Sequence, residues 1–122
     1  MRNYSEFELS ILNIQIGCEL KLARLKKGLS QHQLSLILDT NSTSIGRIER
    51  FENSCSWDKL YLLSQNLEIE FCNLFKLKTL NELLFIVNET INLEEKLTQT
   101  KREYYTSLKQ LIKEKFKQKS NG

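Results

Sequence analysis

Apolar residues recur at helical spacing along most of the chain. Over residues 1–14 they fall at Phe7, Leu9, Ile11, Leu12 and Ile14, which predicts a short leading helix. Over residues 16–27 they fall at Ile16, Leu20 and Ala23, with Leu22 and Leu25 alongside, and the run stops at Lys26-Lys27-Gly28. Basic residues in a last turn followed by glycine end a helix. Ser30 predicts an N-cap for a helix through Leu38, with Leu34, Ile37 and Leu38 turned inward. Asp39-Thr40-Asn41 is a polar break, and Asn41 caps a further helix over 42–50 with Ile45 and Ile48 on one face. Residues 52–56 read as loop, Ser56 or Asp58 opens a helix carrying Leu60, Leu63 and Leu67, and a short last turn covers 70–75. Residues 16–75 therefore hold five short helices, enough for one hydrophobic core.

Residues 79–118 have a different pattern. Thr79 and Glu82 stand at capping-box spacing. Leu80, Leu83, Leu84, Val87, Ile91, Leu97, Tyr104, Tyr105, Leu108, Leu111, Ile112 and Phe116 make one broad stripe. Read as heptads, the seam is spoiled by Thr90, Glu94 and Lys101, which argues against a strict coiled coil. Caps are available at Asn92 (with Glu95) and at Thr98. Two forms stay open: one long amphipathic C-terminal helix, or an antiparallel helical hairpin breaking within 92–98. Either needs a partner surface.

Composition agrees with an all-α fold. The chain has 122 residues, no proline and four glycines, whereas all-β folds of this size need many Gly/Pro turns. Its apolar runs are too short for a membrane span, and its N-terminus lacks the basic and apolar regions of a signal peptide. No membrane partner is expected, and the expected address is the cytoplasm. Cys18, Cys55 and Cys72 form no CxxC pair and read as reduced packing thiols. The sole histidine, His32, gives neither metal-ligand spacing nor a nucleophile–base pair. Glu94 and Glu95 are adjacent and share no helical face. There is no glycine-rich phosphate loop. No enzyme, metal or cofactor is expected.

The informative stretch is Gln31 to Arg50: helix, tight polar turn, helix. Leu34, Leu38, Ile45 and Ile48 are its apolar positions, and the small Ser35 sits where two steeply crossed helices must approach closely. This is the pattern of a helix-turn-helix, whose second helix enters the DNA major groove. The wider run matches in register: Ile16-Gly17, Leu20, Arg24, Lys27 to Gln31, Leu34, Ser42 to Ile45, Ile48-Glu49, Leu60, Leu67 and Leu74-Phe75. It resembles the lambda-repressor-like (Cro/repressor, XRE) DNA-binding domain over about half of the chain. The chain departs from that pattern with Ser35 for alanine, Asp39 for glycine and Phe51 for glycine. Asp39 tolerates a left-handed backbone. Phe51 would be strained there, so the helix is expected to end differently, one turn later or at Asn53.

The resemblance implies a fold and a set of roles. It implies a leading segment over 1–14, a five-helix DNA-binding domain over 15–75 and a C-terminal extension over 76–122. Gln31, at the first turn of its helix, would meet a phosphate, favoured by the helix N-terminus. Asn41 would act as cap or phosphate contact. Ser42, Thr43 and Arg47 would face base edges, with Arg47 able to bond guanine O6 and N7 together. Gly46 would lie on the same face, and Arg50 and Lys27 would contact phosphates. Arg24 would pair with Glu49 and orient the recognition helix.

Charge bears on partners. Residues 15–75 carry seven basic and seven acidic residues, net zero, while residues 76–122 carry ten and six, net +4. Affinity for double-stranded DNA would then come from placement, with Lys21, Lys26, Lys27, Arg47 and Arg50 facing DNA while Asp58, Glu68 and Glu70 face away, and from two domains acting together. The expected function is a transcription regulator that binds a palindromic operator as a homodimer through residues 79–118. The alternative is an interaction module or antitoxin-like adaptor whose tail captures a heterologous protein partner. A tail that only completes the core within its own chain is a third possibility.

Overall fold

A computed structural model of the chain describes residues 6–52 and 55–121, with side chains through Gln118. Every regular element among the described residues is helical. The order is α1 (Glu6–Lys26), α2 (Gln31–Ile37), α3 (Ser42–Glu49), α4 (Trp57–Asn66), a 3-10 turn (Phe71–Phe75), α5 (Leu80–Leu93) and α6 (Gln99–Asn121). No helix among them is long and apolar enough to cross a membrane.

The two stretches expected as separate helices over 1–14 and 16–27 join in one 21-residue helix. No proline or polar break intervenes between them. The merger gives α1 two apolar stripes. Ile11, Ile14, Cys18 and Leu22 turn to α5 and α6, where Leu83, Ile86, Val87, Tyr105, Leu108 and Ile112 complete one buried cluster. Leu20, flanked by Ile16 and Ala23, turns the other way and meets Leu34, Ile45, Ile48, Leu60, Leu63, Leu67 and Leu74 in a second cluster. Each fully buried Leu or Ile contributes about 1.5–3 kcal/mol, so α1 anchors both halves of the molecule.

This arrangement fixes the form of the tail among those left open. All of its apolar stripe but Leu111 packs in the cluster with α1 of the same chain. The tail is a hairpin: α5 stops at Leu93 and α6 starts at Gln99. Thr98 caps α6, its hydroxyl accepting from the Lys101 N–H at 3.2 Å. Asn92 lies inside α5. Of the three residues that spoil the heptads, Thr90 is satisfied within α5, and Glu94 and Lys101 stand at the polar join of the hairpin. Thr90 is buried and donates to the Ile86 carbonyl at 2.9 Å. Glu94 accepts from the Tyr105 hydroxyl at 2.8 Å and lies 3.6 Å from the Lys101 ammonium.

Local signals place the other ends. Ser30 with Gln33, and Thr79 with Glu82, form reciprocal capping boxes. Gly28 ends α1 with φ +69°, and Asp39 makes the helix-turn-helix turn with φ +50°. Phe51 departs from expectation: α3 stops at Glu49 and Phe51 takes φ +52°. Its ring packs against the α1–α5–α6 cluster, which offsets the unfavourable backbone. Asn53 lies outside the described residues.

Sequence reasoning gave no role to Gln15, which is fully buried. Its amide donates to the Leu74 carbonyl at 2.9 Å and the Lys76 carbonyl at 2.8 Å, and accepts from the Lys78 N–H at 3.0 Å. One side chain thereby satisfies the backbone of the connection between the 3-10 turn and α5.

Candidate nucleic-acid interface

The α2–α3 pair stands on the second cluster through Leu34, Ile45 and Ile48. Asn41 caps α3, accepting from the Ser44 N–H at 2.8 Å, while its backbone is extended. Ser35 is buried and donates to the His32 carbonyl at 2.6 Å, which spares a polar atom at a close helix crossing. With Ile45, Ile48 and Glu49 inward, α3 turns Thr43 and Arg47 out to solvent, four residues apart on one face. Ser42 is half-buried beside them. Among the described residues no hydrogen-bond or ion-pair partner is found for the Arg47 side chain.

The inward face of α3 ends in a buried polar knot. The Arg24 Nε donates to Glu49 Oε2 at 2.6 Å and its Nη2 to Glu49 Oε1 at 3.1 Å. Its Nη1 donates to the Leu29 carbonyl at 2.7 Å, tying the α1–α2 turn to the same point. The Gln31 amide adds a donor to Glu49 Oε1 at 2.9 Å. A carboxylate taken out of water needs this many donors. Gly46 gives the Gln31 side chain its passage: a Cβ there would stand 3.1 Å from the Arg50 Nη1 and 3.4 Å from Gln31 Oε1.

Several assigned positions therefore stand differently. The Gln31 amide nitrogen is engaged by Glu49. Gly46 is buried beneath the side chains of Gln31 and Arg50, so it offers no surface to a groove. Arg50 is exposed but forms an ion pair with Glu52. Lys27 pairs with Glu68 at 3.2 Å, so that acidic residue does not face away from it. Lys21 turns from this face altogether and lies over the rings of Tyr104 and Tyr105, 5.2 and 4.7 Å from their centroids. Burial lowers its pKa, opposed by the charges of Glu94 and Glu49. The unengaged cation on the outer face of α3 is Arg47. Its amphipathic spacing with Thr43 was readable in the sequence. The pairing of Lys27 was not, because Glu68 comes from a distant turn, and Arg50 meets the nearby Glu52 only once Phe51 turns the chain.

Comparison of the chain with protein-family models, with curated proteins and with solved structures gives no match.

Proposed function

We propose that the chain is a sequence-specific double-stranded DNA-binding protein of the helix-turn-helix kind, a transcription regulator whose α3 enters the major groove. One observation carries this reading. A short helix exposes Thr43 and Arg47 on one face, while its opposite face is fixed by the Arg24–Glu49–Gln31 knot. Rigid presentation of an arginine and a hydroxyl is what direct base readout requires. Asn41 and Ser42 stand at the same end of α3, near where a phosphate would lie. Action as a homodimer on a palindrome belongs to the proposal, since few free cations serve this face and two copies would add their contacts. The dimer contact would use positions of the hairpin that stay exposed, Phe85, Leu93 and, from the stripe itself, Leu111.

The experiment is selection of duplexes from a random-sequence pool, followed by binding at fixed salt. Arg47→Ala is expected to weaken the selected duplex by about 1–3 kcal/mol and to relax one base position. Unchanged binding and preference in Arg47→Ala would remove α3 as the recognition element.

A second reading, an adaptor that binds another protein, draws on α4. Trp57, Tyr61 and Leu62 are exposed there, Trp57 by 76%, and exposed apolar groups of this size mark contact surfaces when they adjoin.

A further inference from the structure

The end of α3 is held where its own sequence gives least reason for it. Phe51 at φ +52° occupies a backbone region that bulky side chains disfavour. That conformation turns the chain out of α3 and sets the ring against the cluster built by α1, α5 and α6. Gly17 makes the approach possible. A Cβ on Gly17 would stand 2.8 Å from the Glu49 carbonyl oxygen, 2.9 Å from that of Ile48 and 2.9 Å from Phe51 Cδ1. Two of those atoms are backbone, so the last turn of α3 lies directly on α1 with no space for a methyl group.

The hairpin reaches the same turn from the other side. Glu49 borders a small void together with Lys21, Thr90, Tyr104 and Tyr105. Tyr104, on α6, lines that void directly with Glu49, the residue that ends α3. The end of α3 thus meets hairpin side chains at Glu49, across that void, and two residues past the helix the Phe51 ring packs on the cluster that α1 shares with the hairpin.

We propose that Phe51 is a positioning residue that ties the last turn of α3 to the cluster α1 shares with the α5–α6 hairpin, so that the hairpin sets where Thr43 and Arg47 stand and any event that moves the hairpin retunes the outer face of α3. The consequence for DNA rests on the reading that α3 meets DNA. The tie itself is a property of the free protein. It makes the hairpin an input to the recognition element, where a tail serving only as structural filler would leave α3 indifferent to it.

The test uses the full chain and three variants. Phe51→Gly removes the ring and supplies the residue that takes positive φ freely. Phe51→Leu keeps an apolar group on the same backbone. Tyr104→Ala acts from the hairpin side. Amide hydrogen exchange over Gly46 to Arg50 is read without DNA. Affinity is read at one salt concentration on a duplex selected by the wild-type protein and on a scrambled duplex. Exchange is expected to speed up by about tenfold or more in Phe51→Gly and in Tyr104→Ala, and by less than about threefold in Phe51→Leu. The ratio of selected to scrambled affinity is expected to fall about tenfold in Phe51→Gly, with scrambled-duplex binding held within about twofold. Loss on both duplexes alike would assign Phe51 to general stability and overturn the positioning role. Should Phe51→Gly fail to fold, Tyr104→Ala carries the same readings. An α3 whose exchange does not respond to Tyr104→Ala defeats the tie. A wild-type protein that selects no duplex defeats only the DNA reading beneath it.

Discussion

Arg24 grips Glu49 through two bonds, 2.6 and 3.1 Å long, in a site whose side chains are 7% and 3% exposed. Removing the arginine leaves a carboxylate buried with, among the described residues, only the Gln31 amide as a side-chain donor. Arg24→Ala is therefore expected to cost about 3–5 kcal/mol, measured by urea denaturation. Under the proposed function it also weakens binding of the selected duplex. Arg24→Lys keeps the charge without the fork and should fall between. An unchanged midpoint for Arg24→Ala would show the pair to be idle.

Gln15 is the second place where one side chain holds two segments. Gln15→Leu preserves volume but strands two carbonyls and one N–H of the connection before α5. The expected loss is about 1–3 kcal/mol. Exchange of the Lys78 amide should accelerate along with it, which separates a local loosening from general destabilisation.

Much of this architecture is legible in the sequence, and its failures have physical causes. Ser30, Asn41, Gly28 and Thr79 mark helix ends through interactions a few residues long, so spacing alone suffices to find them. The junction at residue 15 was misplaced because α1 buries two faces, and its two stripes read as two successive helices. Thr90, Glu94 and Lys101 look like faults in a coiled coil because Thr90 satisfies its hydroxyl within α5 on the Ile86 carbonyl, while the Tyr105 partner of Glu94 is brought up only by the turn of the hairpin. Phe51 was read by backbone preference alone. Its compensation comes from helices that begin some thirty residues later, which no local rule sees. At the candidate site, Thr43 and Arg47 follow from helical period, while the engagement of Gln31, Lys21 and Lys27 depends on tertiary neighbours and that of Arg50 on the turn at Phe51.

Glu19 gives stability a pH dependence. Burial raises its carboxyl pKa above the ordinary value, against the pull of Lys78, whose ammonium lies 3.1 Å from Oε1. Its Oε2 is buried without a hydrogen-bond partner among the described residues. A raised carboxyl means that the folded protein holds this proton more tightly than the unfolded chain. The stabilising contribution is full below the unfolded pKa of about 4.3 and is lost as pH rises through the raised native value. Wild type should therefore lose ground against Glu19→Gln as pH goes from 4 to 7. Urea midpoints of the two proteins across that range give the check, and parallel pH profiles would contradict it.

The shared helix makes the two halves inseparable. Ending the chain after residue 78 would uncover Ile11, Ile14, Cys18 and Leu22 on α1. The shortened protein is expected to bind an environment-sensitive apolar dye and to lose its cooperative thermal transition. A sharp transition near that of the full chain would show residues 6–78 to be self-sufficient.

The edge-to-face contact of Phe7 with Phe116, their centroids 5.0 Å apart, has a consequence in time. A ribosome makes Phe7 roughly a hundred residues before Phe116, at about 5–20 residues per second. For those seconds the nascent α1 carries an apolar flank whose cover has not yet been translated. Cotranslational folding can close the Leu20 side early, while the Ile11 side waits for α6, and this interval is when a chaperone would find the chain.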